Sequence, residues 1–230
     1  MGLAVAHEDL VDTVVLVELD DRVAAVWRTI LGSQADDLAD LILSFDLTRQ
    51  NVLSLLEQRS QSELERAFAT IVRNRVSHGG GLGPGSGLLR RGENGNGLHS
   101  RWYPQTLALR IQTISDMRNR IAFVQRDGME VIEDNVDCTD TLFFIDPPYT
   151  ASDSGPGRRL YVHSELDHRS LFELASDISG GFLMTYNDDP RVRSLVEEFG
   201  MEALPVPMCN RHHQHVSELL ISRDMSWLSS

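Results

Sequence analysis

Apolar residues recur along this chain with two different periods, and the changes between them mark out its elements. Thr13 to Leu19 is a β-branched apolar run with the composition of a strand, and the segment from Asp21 to Leu31 has the three-to-four spacing of a helix. Helical spacing persists between Ala35 and Val76, through Leu38, Leu41, Ile42 and Phe45 and again through Leu64, Phe68, Ile71 and Val72. This predicts two or three helices, with Ser60 and Ser62 as caps. Pro104 suits the first turn of a further helix, where its missing N–H is not needed, and Leu107, Ile111 and Ile114 fall on one face of it. A short strand is expected near Ile121 to Val124.

The second half alternates more regularly. Thr141 to Ile145 is a short, fully apolar run of the kind a buried parallel strand produces. Asp167 is placed to cap a helix running to Ile178, Phe182 to Thr185 reads as the next strand, and Asp189 to Phe199 as a helix. Strands near Glu202 to Val206 and from Val216 to Ser222 complete the pattern. Such alternation predicts a doubly wound α/β sheet. Ligands of such sheets bind beyond the carboxyl ends of the strands, so chemistry is expected just after Leu19, Val124 and Ile145.

Composition narrows the chemistry. All 21 basic residues among the 230 are Arg, so the chain cannot supply a P-loop Lys, a Schiff-base Lys or the strand Lys of a protein kinase. No run approaches the ~18 apolar residues of a membrane span, and the N-terminus lacks the regions of a signal peptide, which predicts a cytoplasmic protein with no membrane partner. Cys138 and Cys209 are expected to be free thiols. Cys209, His212, His213 and His215 fit no standard zinc spacing, so no metal site is expected.

Charge is segregated. The formal net charge is −13, yet from Arg66 to Arg126 ten Arg face only Glu93 and Asp116, a local balance of +8. A basic middle third in an acidic chain fits a segment that faces a polyanion, and ordinary solvated helix faces fit it equally well. Nine of the 17 Gly fall between Gly79 and Gly97. So little apolar content predicts an exposed, mobile loop, with Arg90, Arg91 and Arg101 as phosphate or base-edge contacts.

At the third strand end Ile145 runs directly into Asp146, Pro147, Pro148 and Tyr149. Two successive prolines fix φ and remove two backbone donors, giving a stiff loop whose carbonyls can face a cleft. An Asp carboxylate beside a Pro carbonyl gives two acceptors on that frame, and the following Tyr supplies a stacking surface. Together they match a planar group bearing an exocyclic NH2, and the rival account is a plain turn with a core Tyr. An acidic side chain at the end of the first strand, in Glu18-Leu19-Asp20, is suited to accept ribose hydroxyls or to cap the next helix.

FFIDPPY, the acidic end of the first strand and the order of parts resemble the Dam-type (D12 class) DNA N6-adenine methyltransferases over nearly the whole chain. The resemblance implies a Rossmann-like methyltransferase sheet, residues 1–32 and 104–230, with a mainly helical and loop target-recognition insert, residues 33–103. It implies S-adenosyl-L-methionine as cofactor, double-stranded DNA as partner, and no obligate protein partner. Asp146 and Pro147 would then accept hydrogen bonds from the N6 of a flipped adenine, with Pro148 stiffening the loop and Tyr149 stacking on the base. Glu18, with Asp20 second to it, matches the ribose-binding carboxylate. Gln125-Arg126-Asp127-Gly128 resembles the segment whose Asp holds the cofactor's adenine amino group, and Asp146 also borders the cofactor. Thr185-Tyr186-Asn187 resembles a segment lining the catalytic cleft. Arg73, Asn74 and Arg75 resemble the start of the recognition region, which makes them, with Arg90, Arg91, Arg101 and Trp102, the candidate DNA contacts.

The chain departs from that pattern at its start. Met1 to Ala6 resembles the helix that follows an aromatic-x-Gly-Gly segment in the family, and the segment itself is missing, so a shortened, catalytically impaired DNA-binding homologue is an alternative. Related motifs also occur in enzymes acting on cytosine N4 or on a guanine N2 in ribosomal RNA. The long insert before DPPY and its leading Asp favour adenine.

Overall fold

Val14–Val17 (β1) runs parallel to Ile121–Val124 (β2), with Val14 opposite Ile121 and Val17 opposite Val124. The computed structural model describes residues 1–58, 62–83, 86–90, 95–148, 166–209 and 215–226. Tyr149, Arg91, Ser60, His212 and His213 lie outside the described residues, as do the side chains of Cys209 and His215. The chain divides into two units, the first taking in the described residues up to Asp127 and the second those from Gly128 onward.

In the first unit a short helix, Gly2–His7 (α1), precedes β1, and Asp21–Leu31 (α2) follows it. Helices Ala35–Ser44 (α3), Arg49–Glu57 (α4) and Glu63–Val76 (α5) come next, and Pro104–Asp116 (α6) leads to β2. Polar side chains cap three of these helices, Ser62 as the sequence pattern predicts. Asp20 caps α2, Thr48 caps α4, and Ser62 with Glu65 forms a reciprocal capping box on α5. The apolar faces of α3 to α6 meet in one core that includes Leu38, Ile42, Val52, Phe68, Val72 and Ile111. Trp102 belongs to the same core, its ring edge-on to Phe45 with centroids 6.1 Å apart.

The glycine-rich stretch is more ordered than its composition predicts. Ser77 bridges Leu88, the His78 N–H donates to the Gly87 carbonyl and the Leu89 N–H donates to the Val76 carbonyl. Leu89 is buried, and Leu88 and Leu98 pack against the α-helical core. The expectation of a free loop fails for these residues because leucines interleaved with the glycines give the segment apolar surface to bury.

In the second unit Gly128–Asp134 (α7) precedes Leu142–Ile145 (β3). His168–Asp177 (α8), Gly181–Asn187 (β4), Pro190–Glu198 (α9), Glu202–Cys209 (β5) and His215–Ser222 (β6) follow. The four strands lie in the order β3, β4, β6, β5. β3 and β4 are parallel, whereas β6 runs antiparallel to both β4 and β5. Phe172, Ile178, Met184, Tyr186, Val192, Leu219 and Ile221 form the core. The described strands thus form a mixed α/β arrangement, with β1 and β2 paired in the first unit and a four-stranded sheet in the second, and parallel pairs in both; the antiparallel β6 departs from the all-parallel order that alternation alone suggests. Periodicity identifies strands but not their partners, and only five residues separate β5 from β6, which suits a hairpin rather than a crossover. No helix among the described residues is long and apolar enough to cross a membrane.

Candidate functional site

The carboxyl ends of β3 and β4 bring the central sequence motif next to its neighbour. Ile145 pairs with Met184, so the residue after each lies alongside the other, and Thr185 Oγ1 donates to Asp146 Oδ1 at 2.6 Å. Asp146 is exposed, Pro147 is buried and Pro148 is half-buried. The proline anchor beside an exposed carboxylate fixes the acid at the sheet edge while leaving it accessible. Thr185, on β4, then fixes the rotation of the carboxyl group of Asp146, which directly follows β3.

Beside this pair, the fully buried Tyr186 places its hydroxyl 3.0 Å from His168 Nδ1 at the start of α8. Burial raises the Tyr186 pKa well above the phenolic range. Burial and then the nearby Arg191 lower the pKa of His168, with Asp167 opposing them. Both groups are thus held neutral at pH 7. Asp188 and Asp189, which follow β4, are occupied by Arg193 and Arg191, and Asp189 also caps α9. Those hydrogen bonds hold the two carboxyls below the usual range.

At the end of β1, in the first unit, Glu18 Oε1 accepts from the backbone N–H groups of Leu19 and Asp20 at 2.8 and 2.9 Å. Both bonds fall on one oxygen, which leaves Oε2 to accept from a hydroxyl. Asp20 is different. Its Oδ1 accepts from the Arg22 backbone N–H at 2.8 Å and its Oδ2 from Arg22 Nη2 at 2.9 Å. Burial raises its pKa, but the bonds to Arg22 outweigh this and leave it lowered. Asp20 is therefore a helix cap and an ion-pair partner. Asp127 is half-buried in the turn after β2 and is engaged by neighbouring groups.

The expected nucleic-acid contacts separate into distinct surroundings. Arg73 and Arg75 are two residues apart on α5, about 200° around the helix, so they cannot share one face. Arg73 lines a cavity of about 470 Å³ with Leu55, Leu56, Arg66 and Thr70. Asn74 Nδ2 donates to the Gly80 carbonyl at 2.8 Å and so holds backbone. Arg75 is half-buried, Arg90 is exposed, and Arg101 Nη1 donates to the Ser77 carbonyl at 3.3 Å. Trp102 is 8% exposed, and its place in the core removes it from the candidate contacts. Sequence reasoning missed the donor role of Thr185 and the His168–Tyr186 pair. Strand register is what reveals the first, and neither residue stands out by type. Among the described residues no three His, Cys, Asp or Glu side chains gather as a metal-ligand group.

No protein-family model matches the chain, and no curated protein is similar to it. Among solved structures, a protein of Pyrococcus horikoshii described as a candidate RNA methyltransferase aligns at 13% identity with a TM-score of 0.30. The alignment covers 83% of this chain and 98% of that one. At this TM-score the likeness decides neither fold nor activity.

Proposed function

We propose that the chain is a methyltransferase that moves a methyl group from S-adenosyl-L-methionine to N6 of an adenine flipped out of double-stranded DNA. The observation that carries this reading is the Asp146-Pro147-Pro148-Tyr149 segment leaving the carboxyl end of β3, with its carboxylate oriented by Thr185. The N6 lone pair of adenine is delocalised into the ring, so the amino group is a weak nucleophile. Asp146 accepts one amino hydrogen and the Pro147 carbonyl the other, which draws the nitrogen toward a pyramidal geometry and frees its lone pair. Because Thr185 occupies Oδ1, Oδ2 is the oxygen offered to the base. Tyr149 stacks on the extruded ring.

When bound, S-adenosyl-L-methionine supplies an electrophilic methyl on a sulfonium. Its ribose is assigned to Glu18 and its adenine amino group to Asp127, on the basis of carboxylates at the ends of parallel strands. With the methyl transferred, the amino nitrogen would shed one proton, which the Asp146 carboxylate or water would take. Positioning and electrostatics carry the rate, so no covalent enzyme adduct is needed. Arg73, Arg75, Arg90, Arg91 and Arg101 are assigned to the DNA backbone, with Asn74 as a positioning residue for the adjacent turn.

Labelled S-adenosyl-L-methionine and duplex DNA test this directly. Wild-type protein is expected to label N6 of adenine. Asp146→Ala, at an exposed position, is expected to lose more than about a hundredfold in methyl transfer while duplex affinity changes little. Survival of methylation in this variant would sink the mechanism. Label found on cytosine N4, or only on RNA, would overturn the adenine assignment.

A further inference from the structure

The four-stranded sheet of the second unit has two unlike edges. Its outer strands are β3 and β5. β5 carries Pro205 and Pro207, and β6 takes its inner side with Leu219 opposite Pro205 and Ser217 opposite Pro207. A proline has no N–H to give, so it suits a strand only where that side faces out, and two of them blunt the β5 edge against a further strand. β3 has no such guard. Thr141 to Ile145 contains no proline and no charge, and among the described residues no strand pairs with its outer side.

The pairing with β4 fixes which groups of β3 face outward. The Gly181 N–H donates to the Thr141 carbonyl at 3.0 Å. Backbone groups alternate sides along a strand, so Phe143 and Ile145 also turn theirs toward β4, while Leu142 and Phe144 turn theirs away. The same two residues expose their side chains, Leu142 by 71% and Phe144 by 42%, whereas Phe143 and Ile145 pack against the core. Two N–H groups, two carbonyls and two large apolar side chains thus stand open on one short strand. Water satisfies the polar groups and leaves the apolar ones exposed. An added strand meets both demands, with N–H and C=O at matching spacing and apolar side chains at alternate positions.

We propose that the outer edge of β3 receives an extended strand from a separate polypeptide, apolar at alternate positions and basic at its ends. The flanks of β3 set the sign. Asp140 and Asp146 are both exposed, and residues 128–230 hold 7 Arg against 18 acidic residues. The same flanks disfavour a second copy of this chain. Antiparallel pairing that matches Leu142 with Phe144 of another copy sets Asp140 of each opposite Asp146 of the other, and like charges directly opposite destabilise a strand pair. The inference stands apart from the methyl-transfer reading, since it uses the edge of β3 and not the chemistry beyond its end.

The probe is an end-blocked peptide of alternating valine and threonine between terminal arginines, compared with the same peptide ended by glutamates. Amide hydrogen exchange of the full chain and fluorescence anisotropy of the labelled peptide are the readouts. In the free protein the amides of Phe143 and Ile145 are expected to exchange slowly and those of Leu142 and Phe144 fast. The arginine-ended peptide is expected to slow Leu142 and Phe144, and the glutamate-ended one to bind at least about tenfold more weakly. Phe144→Pro gives β3 the guard that β5 already has, removing an outward N–H while leaving the β4 ladder intact. It is expected to weaken peptide binding at least about tenfold. Leu142→Lys, which places a charge on the exposed side chain, is expected to act in the same direction and keeps the test open if Phe144→Pro does not fold. Peptide affinity unchanged in the folded variants, or amides of Leu142 and Phe144 that stay fast with peptide bound, would overturn the proposal. Equal affinity for the two peptides would overturn the basic ends. Slow Leu142 and Phe144 amides in dilute free protein would show the edge covered within the chain, and slowing that appears only as protein concentration rises would assign it to a second copy; either result overturns the separate partner.

Discussion

Asp146 and Thr185 illustrate how far a motif can be followed along the chain alone. The acid and its two prolines are contiguous, so their chemistry is legible from residue types. The donor that orients the acid is 39 residues away and arises only from the parallel register of β3 with β4. Asp20 shows the converse. A carboxylate at a strand end suits a ribose and a helix cap equally, and the structure shows the cap, with Arg22 closing on both of its oxygens. Trp102 was misplaced because an aromatic beside an arginine looks like a stacking surface, whereas Phe45 and the α-helical core claim its ring. His168 carries a prediction at this scale. Its pKa is lowered by burial and by Arg191, so between its folded value and the unfolded value of about 6.5 the unfolded chain binds more protons. The stability contributed by the neutral ring is therefore full above about pH 6.5 and is lost as pH falls toward the folded pKa. His168→Gln should flatten the fall in thermal midpoint between pH 7 and pH 5, and an unchanged fall would mean that other groups govern it.

Elements were more legible than their arrangement. Helix starts depend on a side chain within three residues, which is why Ser62 and Asp167 could be named as caps and why both accept backbone N–H bonds in the structure. The order of strands depends on contacts across the chain, which periodicity does not carry. The described part of the glycine-rich stretch is less exposed than expected because composition averages over Leu88, Leu89 and Leu98, which anchor it. Gly180 is a position whose importance no pattern signals. It enters β4 where a Cβ would lie 2.3 Å from the Thr141 carbonyl oxygen and 2.6 Å from that of Cys138. Both are backbone atoms, so no side chain can swing away to make room. Gly180→Ala should lower stability by more than about 2 kcal/mol in urea denaturation. Ser179→Ala, at an exposed neighbour, should change it by less than about 0.5 kcal/mol.

Across the whole molecule, charge sets two tendencies against each other. Residues 1–127 hold 14 Arg against 16 acidic residues, whereas residues 128–230 hold 7 Arg against 18. The net charge of −13 is thus concentrated in the part that carries Asp146, while the Arg-rich stretch from Arg66 to Arg126 lies in a nearly balanced part. Self-repulsion among the acidic residues destabilises the folded second unit, and salt screens it over a length of about 10 Å at 0.1 M. If the chain binds DNA as proposed, attraction of the arginines for a phosphate backbone falls as the same salt competes for it. Raising sodium chloride from 50 to 500 mM should therefore increase the thermal midpoint while weakening duplex affinity by orders of magnitude. Differential scanning calorimetry and fluorescence anisotropy on one preparation measure the two responses. If both fall together, surface ion pairs such as Arg169 with Glu198 and Arg193 with Asp188 contribute more to stability than the acidic excess takes away. Exposed pairs of this kind are worth about 0–1 kcal/mol each, which is why the opposite signs are expected.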